Sequence, residues 1–175
     1  MAAPASQGST NETERRFLVL PEFAPDLLDN LEGRTLINAY LTDDKACAVR
    51  VRVDGASNFL TVKGPKKAGS GVEVEVEVSD AQAAALLSLA RAKVEKKRYQ
   101  LDAGKGLTWE IDVFQGPCAG LVIAEIELPD MSVKFKMPDW LGPEVTDVGE
   151  LANQALAFNG LPLAFIGMAQ AADTE

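Results

Sequence analysis

Acidic and basic side chains recur at alternate positions along this chain, in a spacing suited to holding a cation and a polyanion together. Near the N-terminus Glu12, Glu14 and Arg16 stand two apart in Glu12-Thr13-Glu14-Arg15-Arg16, which runs into Phe17-Leu18-Val19-Leu20. Successive side chains of a β-strand point to opposite faces, so these three share one face and Thr13, Phe17 and Val19 the other. Two carboxylates side by side on one face repel each other, and a bridging cation relieves that repulsion. Arg50 and Arg52 likewise alternate with Val49, Val51 and Val53, and Glu73, Glu75 and Glu77 with Val72, Val74, Val76 and Val78. Lys96 and Arg98 are two apart, as are Glu110 and Asp112 beside Trp109, Ile111 and Val113, and Glu125 and Glu127 among Ala124, Ile126 and Leu128. Each segment pairs an apolar face with a charged one, and the charged faces are sorted by sign.

The rest of the composition narrows the chemistry. There is no histidine among the 175 residues, which removes Ser-His-Asp and Cys-His triads and nearly all catalytic zinc sites. Acid-base or metal chemistry must then use carboxylates, lysine, arginine, tyrosine or water, and an all-oxygen metal site implies a hard cation such as Mg²⁺ or Mn²⁺. The net charge of -9 makes the chain a poor general binder of nucleic acid or of an anionic membrane. The strand-borne bases Arg16, Arg50, Arg52, Lys63, Lys96 and Arg98 can still hold an anion if they converge and a metal offsets the acids. The Gly-rich stretch Gly64–Gly71 is no phosphate-cradling P-loop, because it lacks GxxxxGK[ST] and precedes a strand. Lys66 and Lys67 within it read as a solvated hairpin tip.

The elements that must position these residues follow from the same periodicity. Strands are expected at Asn11–Leu20, Arg34–Leu41, Ala46–Val53, Phe59–Lys63, Val72–Val78, Val94–Leu101, Leu107–Phe114 and Gly120–Leu128. Helices are expected at Pro25–Gly33, from Ser79 or Asp80 to Ala92, and from Asp147 or Gly149 to Phe158, with an irregular stretch around Pro129, Pro138 and Pro143. Tight turns between the strands imply antiparallel pairing. Residues 1–10 read as a disordered leader without the features of a secretory signal, 11–166 as a single domain and 167–175 as a flexible tail. No stretch approaches the ~18 apolar residues of a membrane-spanning helix. Cys47 and Cys118 form no CxxC and read as free thiols of a cytoplasmic protein, although one disulfide is compatible with the sequence. Tyr40 and Tyr99 are expected to pack at strand ends, Trp109 on the face opposite Glu110 and Asp112, and Trp140 in the core.

The simplest arrangement sets the charged strand faces in water. Solvated faces usually mix Ser, Thr, Gln and Asn, whereas these are almost wholly Glu, Asp, Arg and Lys. The Ala- and Leu-rich helix after Ser79 is apolar on most sides and needs a surface to cover. If helices cover the outside of a barrel, the charged faces line its interior, which is stable only when ions and ligand fill it. Eight antiparallel strands are enough to close a barrel, so the expected architecture is α+β, an eight-stranded antiparallel closed β-barrel (a tunnel) flanked by helices, with a charged interior if those helices cover its outside.

These segments resemble the CYTH-domain, or triphosphate tunnel metalloenzyme, family. The ExExK signature corresponds to Glu12-Thr13-Glu14-Arg15-Arg16, with Arg16 in place of the usual Lys. Further matches are Val51-Arg52-Val53, Phe59-Leu60-Thr61-Val62-Lys63-Gly64, Glu73-Val74-Glu75, Glu95-Lys96-Lys97-Arg98-Tyr99, Trp109-Glu110-Ile111-Asp112, Leu121-Val122-Ile123-Ala124-Glu125-Ile126-Glu127-Leu128 and the irregular Pro138–Thr146. The resemblance implies that Glu12 and Glu14 hold a divalent cation, that Asp112, Glu125 and Glu127 complete its coordination, and that Glu75, with Glu73, adds an acid. It implies that Arg50, Arg52, Lys63, Lys96 and Arg98 hold phosphates, with Arg16, Glu75 and Asp112 as catalytic candidates. Arginine at position 16 keeps the charge but is bulkier than lysine. The activity expected is metal-dependent hydrolysis of inorganic tripolyphosphate to pyrophosphate and phosphate. Adenylate cyclase, thiamine or nucleoside triphosphatase and a non-catalytic triphosphate-binding module are the alternatives. The partner is a small-molecule triphosphate, with no nucleic acid or membrane, and a homodimer is compatible.

Overall fold

The structure, a computed structural model, describes residues 13–44, 46–64, 72–130 and 132–169. The strands are β1 (Thr13–Val19), β2 (Arg34–Tyr40), β3 (Ala48–Val53), β4 (Asn58–Lys63), β5 (Glu73–Glu77), β6 (Ala92–Gly104), β7 (Leu107–Phe114), β8 (Val122–Leu128) and β9 (Leu141–Glu144). The helices are α1 (Ala24–Leu28), α2 (Asp80–Ser88), α3 (Asn153–Asn159) and α4 (Leu163–Ala169). The expected strands are therefore present with shifted ends, while β9 and α4 were not foreseen. The leader at 1–10, Glu12, Lys66, Lys67 and residues 170–175 of the expected tail lie outside the described residues. No helix among the described residues is long and apolar enough to cross a membrane.

The closed eight-stranded barrel is overturned. Hydrogen-bonded neighbours follow the order β5-β4-β3-β2-β6-β7-β8-β1-β9, a nine-stranded antiparallel sheet whose end strands β5 and β9 are not partners. The cause lies at β1. Its one edge pairs with β8, with Arg16 opposite Glu125, and its other edge is taken by β9, with Phe17 opposite Glu144 and Val19 opposite Leu141. Closure needs that second edge. The stretch around Pro138 and Pro143 looks irregular in sequence because proline lacks an N–H donor, yet a short edge strand tolerates it. Bonds from Leu20 N to Trp140 O (3.0 Å) and from Val145 N to Arg16 O (2.7 Å) bracket β9. Arg15 adds a paired contact, its Nε donating to Glu144 Oε1 at 2.9 Å and Nη2 to Oε2 at 2.5 Å. Those bonds hold the Glu144 carboxyl down to about 2. The flanking helices are also few and short.

The described residues pack as two compact units. In the first, residues 36–93, the β3–β4 register sets Val49 opposite Val62 and Val51 opposite Leu60, so the apolar positions share one face and Arg50, Thr61, Arg52 and Lys63 the other. Helix α2 packs against β3 and β4. Its N-terminus is a capping box: Gln82 N donates to Ser79 Oγ at 3.3 Å, and Ser79 N donates to Gln82 Oε1 at 2.9 Å. Of its residues only Ala83 is buried.

The second unit, residues 13–35 with 94–169, has cores on both faces of its strands. One consists of Phe17, Val19, Trp109, Ile111, Ala124, Ile126 and Leu128, with α1 and Trp140 packed against it. Trp109 meets Phe17, Phe135 and Trp140 edge-on at centroid distances of 5.9, 5.4 and 5.4 Å. Trp109 thus lies opposite its acidic neighbours, as its odd position requires. On the other face Leu18, Phe114, Ile123, Leu151 and Leu156 form a second core. Beside it on the same strands lie Glu14, Arg16, Asp112 and Glu125. Trp109→Ala should cost about 3–5 kcal/mol, to be read as a lowered midpoint in urea unfolding; an unchanged midpoint would contradict this packing.

Candidate functional site

In the second unit the strand register brings like charges face to face. Glu14 on β1 is directly opposite Glu127 on β8, and Glu110 on β7 is opposite Glu125. Like charges in such pairs repel. Arg98 on β6 compensates one pair: it donates from Nη1 to Glu110 Oε2 and from Nη2 to Glu125 Oε2, the latter at 2.8 Å. The same guanidinium grips Asp112, Nε to Oδ1 and Nη2 to Oδ2, both at 2.6 Å. Lys96 donates from Nζ to Asp112 as well. Asp112 is fully buried and Lys96 is 1% exposed. Arg16 completes the group, with Nε donating to Glu125 Oε1 at 3.1 Å and Nη2 to the carbonyl of Leu151 at 2.7 Å.

This network sets the protonation of its members. Burial alone would raise the Asp112 carboxyl; hydrogen bonds from Arg98 and the charges of Lys96 and Arg98 outweigh that and lower it. Burial opposes the charge on Arg98, but Asp112, Glu125 and Glu110 raise its pKa further above the usual arginine value. Both groups stay charged at neutral pH.

Next to this network lies a pocket of about 190 Å³ lined by Glu14, Gly106, Leu107, Thr108, Glu110, Glu125 and Glu127. The turn from β6 to β7 shapes its rim with three consecutive left-handed residues, Gly104, Lys105 and Gly106. Four carboxylates and one hydroxyl line it, an oxygen-only donor set that fits a hard divalent cation. Among the described residues no three acids are gathered into a ready-made metal cage, and Glu12 lies outside them.

The first unit holds a separate charged group. Glu75 on β5 accepts from Thr61 Oγ1 at 2.8 Å, and its carboxylate lies 3.8 Å from Arg50 Nη2 and 3.6 Å from Arg52 Nη2. Lys63 Nζ is 3.0 Å from Glu73 Oε1. The Arg52 guanidinium also stacks over Phe59, 5.0 Å from the ring centroid. Arg50 Nε and Arg52 Nε are buried donors with no hydrogen-bond partner among the described residues.

The structure therefore gathers Arg16, Lys96, Arg98, Asp112 and Glu125 into one network, with Glu14 and Glu127 at the adjoining pocket, and Arg50, Arg52, Lys63, Glu73 and Glu75 into another. Three participants were missed in sequence. Glu110 carried a signal, its spacing from Asp112. Thr61, fully buried, offered only its position on the same face as Lys63. The Leu151 carbonyl offered none, being backbone. Cys118 is buried, Cys47 exposed, and both are free thiols; burial pushes the Cys118 thiol up.

A family model described as the CYTH domain matches residues 10–156. The chain is 40% identical over 150 residues to the inorganic triphosphatase of Acetivibrio thermocellus, covering 85% of this chain and 94% of that one. It is 33% identical over 151 residues to the inorganic triphosphatase of Nitrosomonas europaea, covering 85% and 97%. A crystal structure bearing the name of an inorganic triphosphatase superposes with a TM-score of 0.66 at 32% identity, over 86% of this chain and 96% of that one.

Removing the Asp112 charge should leave the buried Lys96 ammonium without its carboxylate and take from Arg98 one of the three carboxylates it grips. Asp112→Asn is expected to destabilise by about 3–5 kcal/mol at neutral pH, measured by urea unfolding. Because the folded-state carboxyl titrates below its ordinary value, its contribution is complete above the usual carboxylate range and is lost as pH falls toward the lowered value. The gap between wild type and variant should therefore narrow on acidification; a gap constant with pH would contradict the pairing.

Proposed function

The chain belongs to the CYTH-domain family, and from that premise we propose that it is a hydrolase that cleaves inorganic tripolyphosphate to pyrophosphate and phosphate. One observation carries the reading most directly. Among the described residues Arg50 Nε and Arg52 Nε find no acceptor, and they stand two apart on one strand face. A buried donor left unpaired costs about 1–3 kcal/mol, and a phosphate oxygen is the strong acceptor that would satisfy it. Among the described residues that line the pocket there is no aromatic ring on which a nucleobase or thiazole could stack, which favours an inorganic triphosphate over ATP or thiamine triphosphate.

In this proposal Arg50, Arg52 and Lys63 of the first unit and Lys96 and Arg98 of the second are the bases that offer donors to phosphate oxygens. Glu12, Glu14, Glu125 and Glu127 are the acids that would hold the divalent cation, Mg²⁺ or Mn²⁺, with Glu73 as a further acid. When bound, such a cation neutralises phosphate charge and polarises the terminal phosphorus toward attack. Glu75, steadied by Thr61 and two arginines, orients the attacking water and accepts its proton. The water oxygen bonds to the terminal phosphorus, the bridging P–O bond breaks and pyrophosphate departs with the electron pair. Asp112, assigned by resemblance to the metal and to catalysis, is sealed behind Lys96 and Arg98; its geometry supports a positioning role, holding both bases charged and aimed. Arg16 steadies Glu125. The cytoplasm is the compartment proposed, with neither nucleic acid nor membrane as a partner.

Phosphate release from tripolyphosphate, ATP and thiamine triphosphate should be measured with Mg²⁺ or Mn²⁺ and with EDTA. Tripolyphosphate is expected to be cleaved, EDTA to abolish the activity, and Glu14→Ala to lower kcat by ~10²-fold or more, the several kcal/mol that a bound cation supplies. No release from tripolyphosphate with either metal would overturn the proposal.

A further inference from the structure

Resting on the triphosphatase reading, we propose that Glu125 is a built-in anion that occupies a two-arginine phosphate seat, and that the incoming triphosphate must displace it. Each carboxylate oxygen of Glu125 faces a different guanidinium: Oε1 accepts from Arg16 Nε at 3.1 Å and Oε2 from Arg98 Nη2 at 2.8 Å. A carboxylate bridging two guanidinium groups occupies the place that two oxygens of one phosphate group would take. Glu125 lines the 190 Å³ pocket, whereas Arg16 and Arg98 do not. The carboxylate thus screens both arginines from the space a ligand would enter.

The two arginines are fixed independently of Glu125. Arg16 is tied by Nη2 to the Leu151 carbonyl at 2.7 Å, and its backbone N donates to Thr146 Oγ1 at 3.1 Å while its carbonyl accepts from Val145 N at 2.7 Å. Arg98 is held by Asp112 at 2.6 Å through both Nε and Nη2, and also by Glu110. Their side chains are only 8% and 13% exposed. When Glu125 swings away, the arginines therefore stay where they are, and the seat is left open and preorganised. The seat is built by the arginine at position 16: a lysine ammonium has no second arm to reach Leu151 while facing Glu125.

Occupation by Glu125 has a functional consequence. Bare anions, including the products orthophosphate and pyrophosphate, must compete with an internal carboxylate for the seat. A ligand with more phosphate oxygens and more charge competes better, and its arrival releases an oxygen donor into the pocket that already contains Glu14, Glu110 and Glu127. Phosphate capture and the freeing of a carboxylate become one event.

The test is metal-free binding of tripolyphosphate in EDTA by titration calorimetry, comparing wild type with Glu125→Gln. Glutamine keeps the shape but gives up the charge, so the seat is contested by a neutral group. E125Q should bind about 10-fold more tightly, the scale of one charge-assisted contact. Glu127→Gln removes an equal charge from the same pocket at a residue other than the carboxylate that bridges Arg16 and Arg98, and should change binding by about threefold or less. Glu125→Asp, whose shorter side chain cannot span both arginines, should give a partial gain and covers the case in which E125Q folds poorly. Combining E125Q with Arg16→Lys should cancel most of the gain. An E125Q affinity equal to or weaker than wild type, or an equal gain from E127Q, would overturn the displacement. Failure of wild type to release phosphate in the presence of metal would instead overturn the hydrolase reading and leave this metal-free comparison intact.

Discussion

Like charges placed directly opposite one another on neighbouring strands are the constraint on which this structure depends. Glu14 faces Glu127 and Glu110 faces Glu125, an arrangement that costs free energy unless cations intervene. For the Glu110–Glu125 pair the second unit meets that need with Arg98, whose guanidinium reaches Glu110, Asp112 and Glu125 together, and with Arg16, which takes the other oxygen of Glu125. Buried groups of this kind are seldom the cheapest way to stabilise a fold, since an apolar core of the same shape would serve as well or better. Their retention is easier to understand as preparation for a ligand that carries many charges of one sign and brings cations with it.

Such a network needs stiff support, and two apolar cores supply it. Behind the strands, Trp109 is wedged edge-on among Phe17, Phe135 and Trp140, which fixes the residues flanking Glu110. Beside the charged groups, Leu151 is buried in the second core while its carbonyl holds Arg16. One residue thereby links hydrophobic packing near the C-terminus to a guanidinium on the first strand. Rotamers locked on both sides allow the charged groups to be positioned in advance of the ligand, the condition under which electrostatics contributes most to catalysis.

The open sheet follows from competition for a single strand edge. β9 pairs with β1 and is held by backbone bonds on either side and by Arg15 on Glu144. β5 stands at the other end of the strand order. The charged faces remain intact without closure, because alternation along a strand does not depend on whether the sheet forms a ring.

Much of this protein was legible in the amino-acid sequence, because period-two alternation is a local property. It placed most of the strands, assigned Arg50 and Arg52 to one face and Val49 and Val51 to the other, and set Trp109 opposite Glu110. The absence of histidine limited the chemistry to oxygen ligands and bases. What it left open were quantities that depend on partners distant in the chain. Whether the first strand would accept a ninth strand was decided by Trp140, Glu144 and Val145, more than a hundred residues away, in a stretch whose prolines suggested irregularity. Asp112 and Glu125 read alike in sequence as strand acids, yet tertiary packing sealed Asp112 behind Lys96 and Arg98 and left Glu125 on a pocket wall. Local spacing dictates which face a side chain occupies; only the packing of distant segments dictates what it meets there, and so whether its charge is spent on the fold or held for a ligand.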